Sequence, residues 1–363
     1  MFYGLENTQP EVAAILGELV ETRQFPSAVL FAGSPYSGRM YAAMCVAKAF
    51  DADITSTVII SDRNHNYRIS AALRLYKNAK NKAASGFLKE TAGTLLKQYH
   101  GALIDSQSSS AKKKFSDAGE CMDLLNELDH TDEKGAEKLA ASLEKAFSSV
   151  IDSAKVISVG QVRDIIEWCS TSSLEGKVKL VIIEGLENAT ESASNALLKT
   201  LEEPPEKTHF ILISSNPGRI PQTVLSRVRK FVFSDFTDNE KRYVLSSIFV
   251  DPSKYGSIEE FFIQYSGIDD RLLSESAVCL VRRKKINLTA LISELEKNQC
   301  WDRFFQHVIF ALYEEFRMGM LPEEQVAELS RDITEAVSKG KAFNQMKRLT
   351  FDYVFFKVRE VLG

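Results

Sequence analysis

The stretch 179-KLVIIEGLENATESASNALLKTLEEPPEKTHFILISS-215 reads as strand, helix and strand with little chain to spare between them. Its first six residues, KLVIIE, form an unbroken apolar run around Val181, Ile182 and Ile183, the pattern of a strand buried on both faces. From Ala189 to Glu203 the apolar residues fall at helical spacing, so Ala193, Ala196, Leu197, Thr200 and Leu201 share one face. Asn188 and Glu191 have the three-residue spacing of a capping box. Pro204 and Pro205 stop the helix, because proline lacks the N–H that a further turn needs. A second apolar run, 208-THFILISS-215, follows at once. Strands joined through a helix imply a parallel sheet with helices on its faces.

The same alternation recurs near the start of the chain. Residues 11-EVAAILGELVE-21 are helical in period, and Pro10 suits the first turn. The short run 28-AVLFAG-33 is a strand ending in glycine. Then 39-RMYAAMCVAKAF-50 reads as a helix with Met40, Ala43, Met44 and Ala47 on one face. The turn between them, 33-GSPYSGRM-40, has glycines at Gly33 and Gly38, where the phosphate-loop pattern G-x-x-x-x-G-K-[ST] requires them. Arg39 stands in place of the lysine and Met40 in place of the hydroxyl residue. The frame of the loop is kept and its chemistry is lost.

Composition sets the bounds on function. The chain has 363 residues, 44% of them apolar and 26% charged, ordinary values for a globular protein of two or three domains. The first residues, 1-MFYGLENTQPEVAAIL-16, have no basic leader or long apolar run, and no stretch reaches the roughly 20 apolar residues of a membrane span. Five scattered cysteines favour reduced thiols and a cytoplasmic setting over a disulfide framework or paired zinc ligands. A net charge of -4 leaves nucleic-acid contact to local basic patches.

Between about 62 and 155 the chain turns polar and helical, with a serine-rich break at 106-SQSSS-110. The first half is basic (Arg63, Arg68, Arg74, Lys77, Lys80, Lys82, Lys89, Lys97, then 112-KKK-114). The second half is acidic (Asp117, Glu120, Asp123, Glu127, Asp129, Asp132, Glu133, Glu137, Glu144). Two readings stand: the halves fold on each other as a helical hairpin, or the basic half meets DNA phosphates. Few aromatics are available for base stacking, so any DNA contact is to the backbone. From Phe236 onward helical periodicity dominates, and 282-RRKK-285 marks a junction. The domains expected are an α/β domain over 1–234 interrupted by the insertion 62–155, a small helical unit over 235–285, and a C-terminal helical domain over 286–363. Aromatics at helical spacing in 301-WDRFFQHVIFALYEEF-316 and 351-FDYVFFKVREVL-362 read mostly as core.

The runs 194-SNALLKTLEEPPEKTHFILISSNP-217 and 221-PQTVLSRVRKF-231 closely resemble the clamp-loader ATPases of the AAA+ superfamily. Residues 161–190 and 25–39 are similar to the same family in order and spacing. The resemblance implies an AAA+ parallel-sheet domain with a helical insertion, followed by a lid and a helical collar that joins subunits in a ring. It also implies partners: motor ATPase and delta-type subunits, a sliding clamp reached through them, and primed DNA. Family members usually carry a four-cysteine zinc module after the phosphate loop. Those cysteines are missing here, so no zinc is expected.

The resemblance gives each site residue a role to weigh. A working loop uses its lysine on the β- and γ-phosphates and its hydroxyl on Mg²⁺. Arg39 keeps the charge in a larger planar fork, and Met40 offers no oxygen ligand. After the strand 179–184 the hydrolysing members place two acidic residues. Here Glu184 takes the first place and Gly185 the second, which leaves no general base, a loss typically of about 10²–10⁴ in rate. Gly33 and Gly38 then serve either a ligand-free turn or weak nucleotide binding. Ser214, Ser215 and Asn216 stand where the first sensor lies and serve either a phosphate or a turn. Arg271, in 266-SGIDDR-271, matches the second sensor, with a salt bridge to the lid as the alternative.

Arg227, after Ser226, matches the arginine that the family offers across a subunit boundary to a neighbour's ATP. The alternative is a surface arginine beside Arg229 and Lys230. Ser226 orients the turn, and Val228 replaces the family's usual cysteine. Glu202 and Glu203 end a helix against its macrodipole, which suits either a subunit contact or simple solvation. The expectation is a non-hydrolysing clamp-loader subunit with ATP binding weak or absent and no other cofactor. The alternatives are an ATP-hydrolysing motor of the same family and a DNA-binding scaffold.

Overall fold

The computed structural model describes residues 4–61, 66–79, 81–103, 109–128, 133–150, 157–171, 177–248, 250–298, 300–342 and 347–362. Arg63, Lys80, Asp129, Asp132 and positions 106–108 of the serine-rich break lie outside them. The chain forms two compact units, Met1–Phe262 and Ile263–Gly363.

The first unit opens with α1 (Pro10–Glu21), β1 (Ala28–Gly33), α2 (Arg39–Ala49) and β2 (Thr57–Ser61). Four helices of the insertion follow: α3 (Asn66–Ala79), α4 (Lys82–Leu96), α5 (Ser109–Glu127) and α6 (Glu133–Val150). The alternation then resumes with α7 (Val159–Ser170), β3 (Lys179–Glu184), α8 (Glu191–Glu202), β4 (Thr208–Ser214), α9 (Gln222–Leu225) and β5 (Arg229–Phe233). Helix α10 (Asp238–Ser247) and the start of α11 (Ile258–Ser266) complete the unit.

The five strands make one parallel sheet in the order β2-β3-β4-β1-β5. Because side chains alternate along each strand, the two faces of the sheet build two cores. Val29, Phe31, Ile59, Ile182 and Ile211 pack with α1 and α2 on one face. Leu30, Ile60, Val181, Ile183 and Leu212 pack with α7 and α8 on the other. This is an α/β fold with helices on both faces, as the strand–helix–strand pattern implied.

Three local expectations need correction. Helix α8 is capped by Thr190, whose side chain accepts from the Ala193 N–H, and not by a box of Asn188 and Glu191. Threonine one place later satisfies the same orphan amide. On α2, Ala42, Cys45 and Val46 are buried with Ala43 and Ala47, while Met40 and Met44 are only partly covered. The helix is enclosed on a broader face than the methionine stripe suggested. The insertion, lastly, is not one hairpin: α3 packs with α4, α5 with α6, and α3 also meets α6. There Lys77 from the basic half pairs with Glu144 from the acidic half at 2.5 Å.

One buried cation in the sheet has a structural task. Lys179 opens β3 with 5% of its surface exposed, and its ammonium donates to the carbonyls of Trp168 and Thr171, both at 2.5 Å, and to Thr171 Oγ1 at 3.0 Å. These carbonyls end α7, where no further turn can satisfy them. Lys179→Met is expected to strip the Thr171 carbonyl of this donor, while Trp168 keeps the Thr171 N–H and hydroxyl, and to cost about 1–3 kcal/mol, read as a lower urea midpoint for the first unit.

The second unit is helical: α12 (Asp270–Val281), α13 (Leu288–Asn298), α14 (Trp301–Arg317), α15 (Glu323–Ala342) and α16 (Lys347–Val361). Its core gathers Leu273, Leu280, Leu295, Trp301, Phe304 and Phe351. Asp270 in the first turn of α12 accepts from Arg303 (2.9 and 3.1 Å) and His307 (2.8 Å) on α14, tying the two helices together. The aromatic-rich helices are less fully core than their spacing suggested. Phe310, Tyr313 and Phe316 on α14, and Leu349, Tyr353 and Phe356 on α16, are exposed.

Candidate functional site

In an open parallel sheet the ligand crevice lies beyond the carboxyl ends of the strands, where neighbouring connections diverge. Here β1 lies between β4 and β5, and its carboxyl end runs straight into the loop 33–40. The glycines of the loop have local reasons. A Cβ on Gly33 would sit 2.4 Å from the Phe233 carbonyl oxygen, so the loop can lie this close to β5 only without a side chain. Gly38 caps α2 at φ +88°, in the left-handed region that glycine enters without strain.

The loop is fixed by its own chain. The Gln9 side chain donates to the carbonyls of Ser37 (3.2 Å) and Ser234 (2.7 Å), and Ser34 hydrogen-bonds Asp235. Tyr36, at φ +66°, stacks on Phe262. Arg68 of α3 lies over the Tyr36 ring at 4.9 Å, and Phe87 of α4 stacks on the same Phe262. Two helices of the insertion therefore close over the loop.

Between these groups is a mainly apolar cleft of about 370 Å³, lined by Tyr36, Arg39, Met40, Arg68, Phe87 and Glu184 among others. Its size is at the small end for a ligand pocket. Arg39 is buried at 4% exposure. Glu184 ends β3 at 3% exposure and accepts from Ser61 Oγ at 2.8 Å. Gly185 follows at φ +86° with no side chain to offer. Glu90 of α4 also lines the cleft, and burial raises its pKa. Of the residues singled out in the sequence, Gly38, Arg39, Met40 and Glu184 meet at this cleft. Among the described residues no group of three or more His, Cys, Asp or Glu side chains is placed to hold a metal ion.

Ser215 lies just past the end of β4 and is held by a residue the sequence reading passed over. Its N–H and its hydroxyl both donate to Glu187 Oε1 at 2.8 Å. Burial would raise the pKa of Glu187, but the hydrogen bonds from its own backbone, Ser215 and Ser214 outweigh it and hold the carboxyl below its ordinary range. A carboxylate two residues past Gly185 was the available signal, since it leaves the strand toward the neighbouring strand end.

The second cluster lies at the other end of β5. Arg227 follows the single turn of α9, with its N–H on the Val224 carbonyl at 3.0 Å and that of Ser226 on Gln222 at 2.9 Å. Its guanidinium pairs with Glu202 of α8 through Nε at 2.6 Å and through Nη2. Nη1 donates to the Thr223 carbonyl and, at 3.3 Å, to Ser226 Oγ. Glu203 is exposed at the end of α8. Arg271, in the second unit, has a side chain 87% exposed and pairs with Glu275 one turn along α12.

Comparison with known proteins finds likenesses over part of the chain. Residues 76–237 match a family model described as DNA polymerase III, delta subunit. The chain is 44% identical over 73 residues to DNA polymerase III subunit delta' of Haemophilus influenzae, a match covering 20% of this chain and 22% of that one. It is also 30% identical over 135 residues to DNA polymerase III subunit gamma of Buchnera aphidicola, covering 36% and 37%.

Over the residues matched, these likenesses support a clamp-loader member of the AAA+ proteins. The chain spans well under half the length of these curated relatives. A solved gamma subunit-related protein of Thermotoga maritima overlays at a TM-score of 0.40 with 14% identity, over 96% of this chain and 99% of that one. Within the clamp-loader family the relatives bear both delta' and gamma or tau names, so the site's chemistry has to distinguish the roles. No described helix is long and apolar enough to cross a membrane.

Proposed function

We propose that this chain is a non-hydrolysing, delta-prime-like subunit of a clamp loader that supports sliding-clamp loading in DNA replication. It presents Arg227 to the ATP of a neighbouring motor subunit. The observation that carries the reading is the composition of the cleft: Met40 supplies no oxygen, Gly185 no carboxylate, and Glu184 is buried against Ser61. Magnesium needs near-octahedral oxygen ligation, and hydrolysis needs a base for the attacking water. Met40 and Gly185 withhold the usual metal oxygen and the usual base, and the carboxylate that remains, Glu184, is hydrogen-bonded by Ser61, so in this reading bound nucleotide is weak or absent and is not turned over.

The exposed apolar stripes of α14 and α16 support a subunit in an assembly, because scattered exposure is ordinary while three large side chains aligned on one helix suit a partner. The partners in this reading are motor and delta-type subunits in the cytoplasm. Primed DNA would be met through its backbone. The Lys77–Glu144 pair favours a basic half partly neutralised within the insertion over a dedicated DNA surface.

The test is phosphate release by the purified chain with ATP and Mg²⁺. No release above background is expected from the chain alone. Robust turnover that is lost on Arg39→Ala would establish the motor reading in its place.

A further inference from the structure

The guanidinium of Arg227 is already occupied within its own chain. Of its five N–H donors, Nε and one on Nη2 go to Glu202, and the two on Nη1 go to the Thr223 carbonyl and Ser226 Oγ. One donor remains. A forked contact with a phosphate uses two parallel N–H groups, so the side chain in this position cannot make one without giving up a present partner.

We propose that Glu202 parks Arg227 in the free subunit and yields it to the phosphates of the neighbour's nucleotide. The inference rests on the reading of Arg227 as an arginine finger. A carboxylate-for-phosphate exchange then sets how readily the finger engages.

The pair has the properties such an exchange needs. Both members are partly exposed, with 29% of the Arg227 side chain and 47% of the Glu202 side chain open to solvent. An exposed ion pair shifts an equilibrium by at most about fivefold, too little to hold the arginine against a multiply charged phosphate. Glu202 ends α8, where the carbonyl end of the macrodipole opposes a carboxylate. A cation beside it relieves that cost, which gives the free subunit a reason to hold the arginine there. The backbone of the turn is already fixed by the amides of Ser226 and Arg227, so the exchange requires only rotation of the long side chain. Until then a parked guanidinium is shielded from the wrong anions.

The test uses the full chain reconstituted with its partner subunits and measures ATP turnover for the wild type, Glu202→Gln, Arg227→Ala and the double variant. Glu202→Gln is expected to raise turnover two- to fivefold at low ionic strength, about the reach of an exposed pair. The gain shrinks as salt screens the competing carboxylate in the wild type, and it is absent in the double variant. Glu202→Ala repeats the measurement without an amide in place of the carboxylate. Turnover of both Glu202 variants at or below wild type, with Arg227→Ala impaired, overturns the parking role and leaves the finger standing. Arg227→Ala with unchanged turnover removes the finger, and the parking role with it.

Discussion

Arg227→Ala is expected to lower ATP turnover at the neighbouring site it serves by about 10³-fold or more, the contribution of an arginine supplied in trans. The reason is electrostatic. The transition state of phosphoryl transfer spreads charge over the transferred group, and a guanidinium held against it in a site closed to water acts where screening is weakest. If the motor sites fire in concert, the whole assembly slows. If they fire independently, the loss is confined to the share of one site. Incorporation of the variant into the assembly, followed by gel filtration, should be unchanged, because the turn carrying residue 227 is closed by backbone hydrogen bonds. Arg227→Lys should recover little, since an ammonium lacks the planar fork. Wild-type phosphate release by an assembly carrying the alanine variant would remove Arg227 from the mechanism.

Phe31→Ala carries the largest expected effect on stability. Phe31 is fully buried at the middle of β1, edge-on to Phe231 at 5.8 Å and tilted against Phe233 at 5.2 Å. It therefore joins the centre of the sheet to its outer strand. Truncation removes the transfer energy of the ring and leaves a cavity on the face of the sheet that α1 and α2 cover, a cost of about 3–5 kcal/mol. Thermal unfolding of the first unit should shift down by roughly 2–4 °C for each kcal/mol. A shift of only a degree or two would mean that β5 closes the gap and is far more mobile than its pairing with β1 implies.

The legible parts of this chain share a physical cause. Strands β1, β3 and β4 lie in the interior of the sheet and are apolar on both faces, so they stand out as continuous runs. The edge strand β5 does not. In β5 only Phe231 and Phe233 are buried, alternating with exposed Lys230 and Val232, and Arg229 opens the strand in solvent. It was visible only as part of a motif. The other edge strand, Thr57–Ser61, is buried over its first four residues but is only five residues long and runs directly into the polar insertion.

At the site, the missing chemistry of Met40 and Gly185 could be read from residue type alone. The contribution of the insertion could not. Arg68, Phe87 and Glu90 reach the cleft by folding back across a chain separation that leaves no periodic trace. The partnership of Arg227 with Glu202 is equally silent, because an ion pair spanning two elements has no spacing rule as a helix does.

Strand β5 joins the two functional ends of the first unit. Arg227 stands two residues before its start, and its last residue lies beside Gly33, with Ser234 and Asp235 holding the loop. Five residues at about 3.3 Å each make a strut of roughly 16 Å. In a subunit that cycled nucleotide, the far end of that strut would shift with every turnover and carry the arginine with it. Here the far end is bolted to its own chain through Gln9 and Ser34, so under the proposed role the arginine keeps a fixed footing while the neighbour turns over.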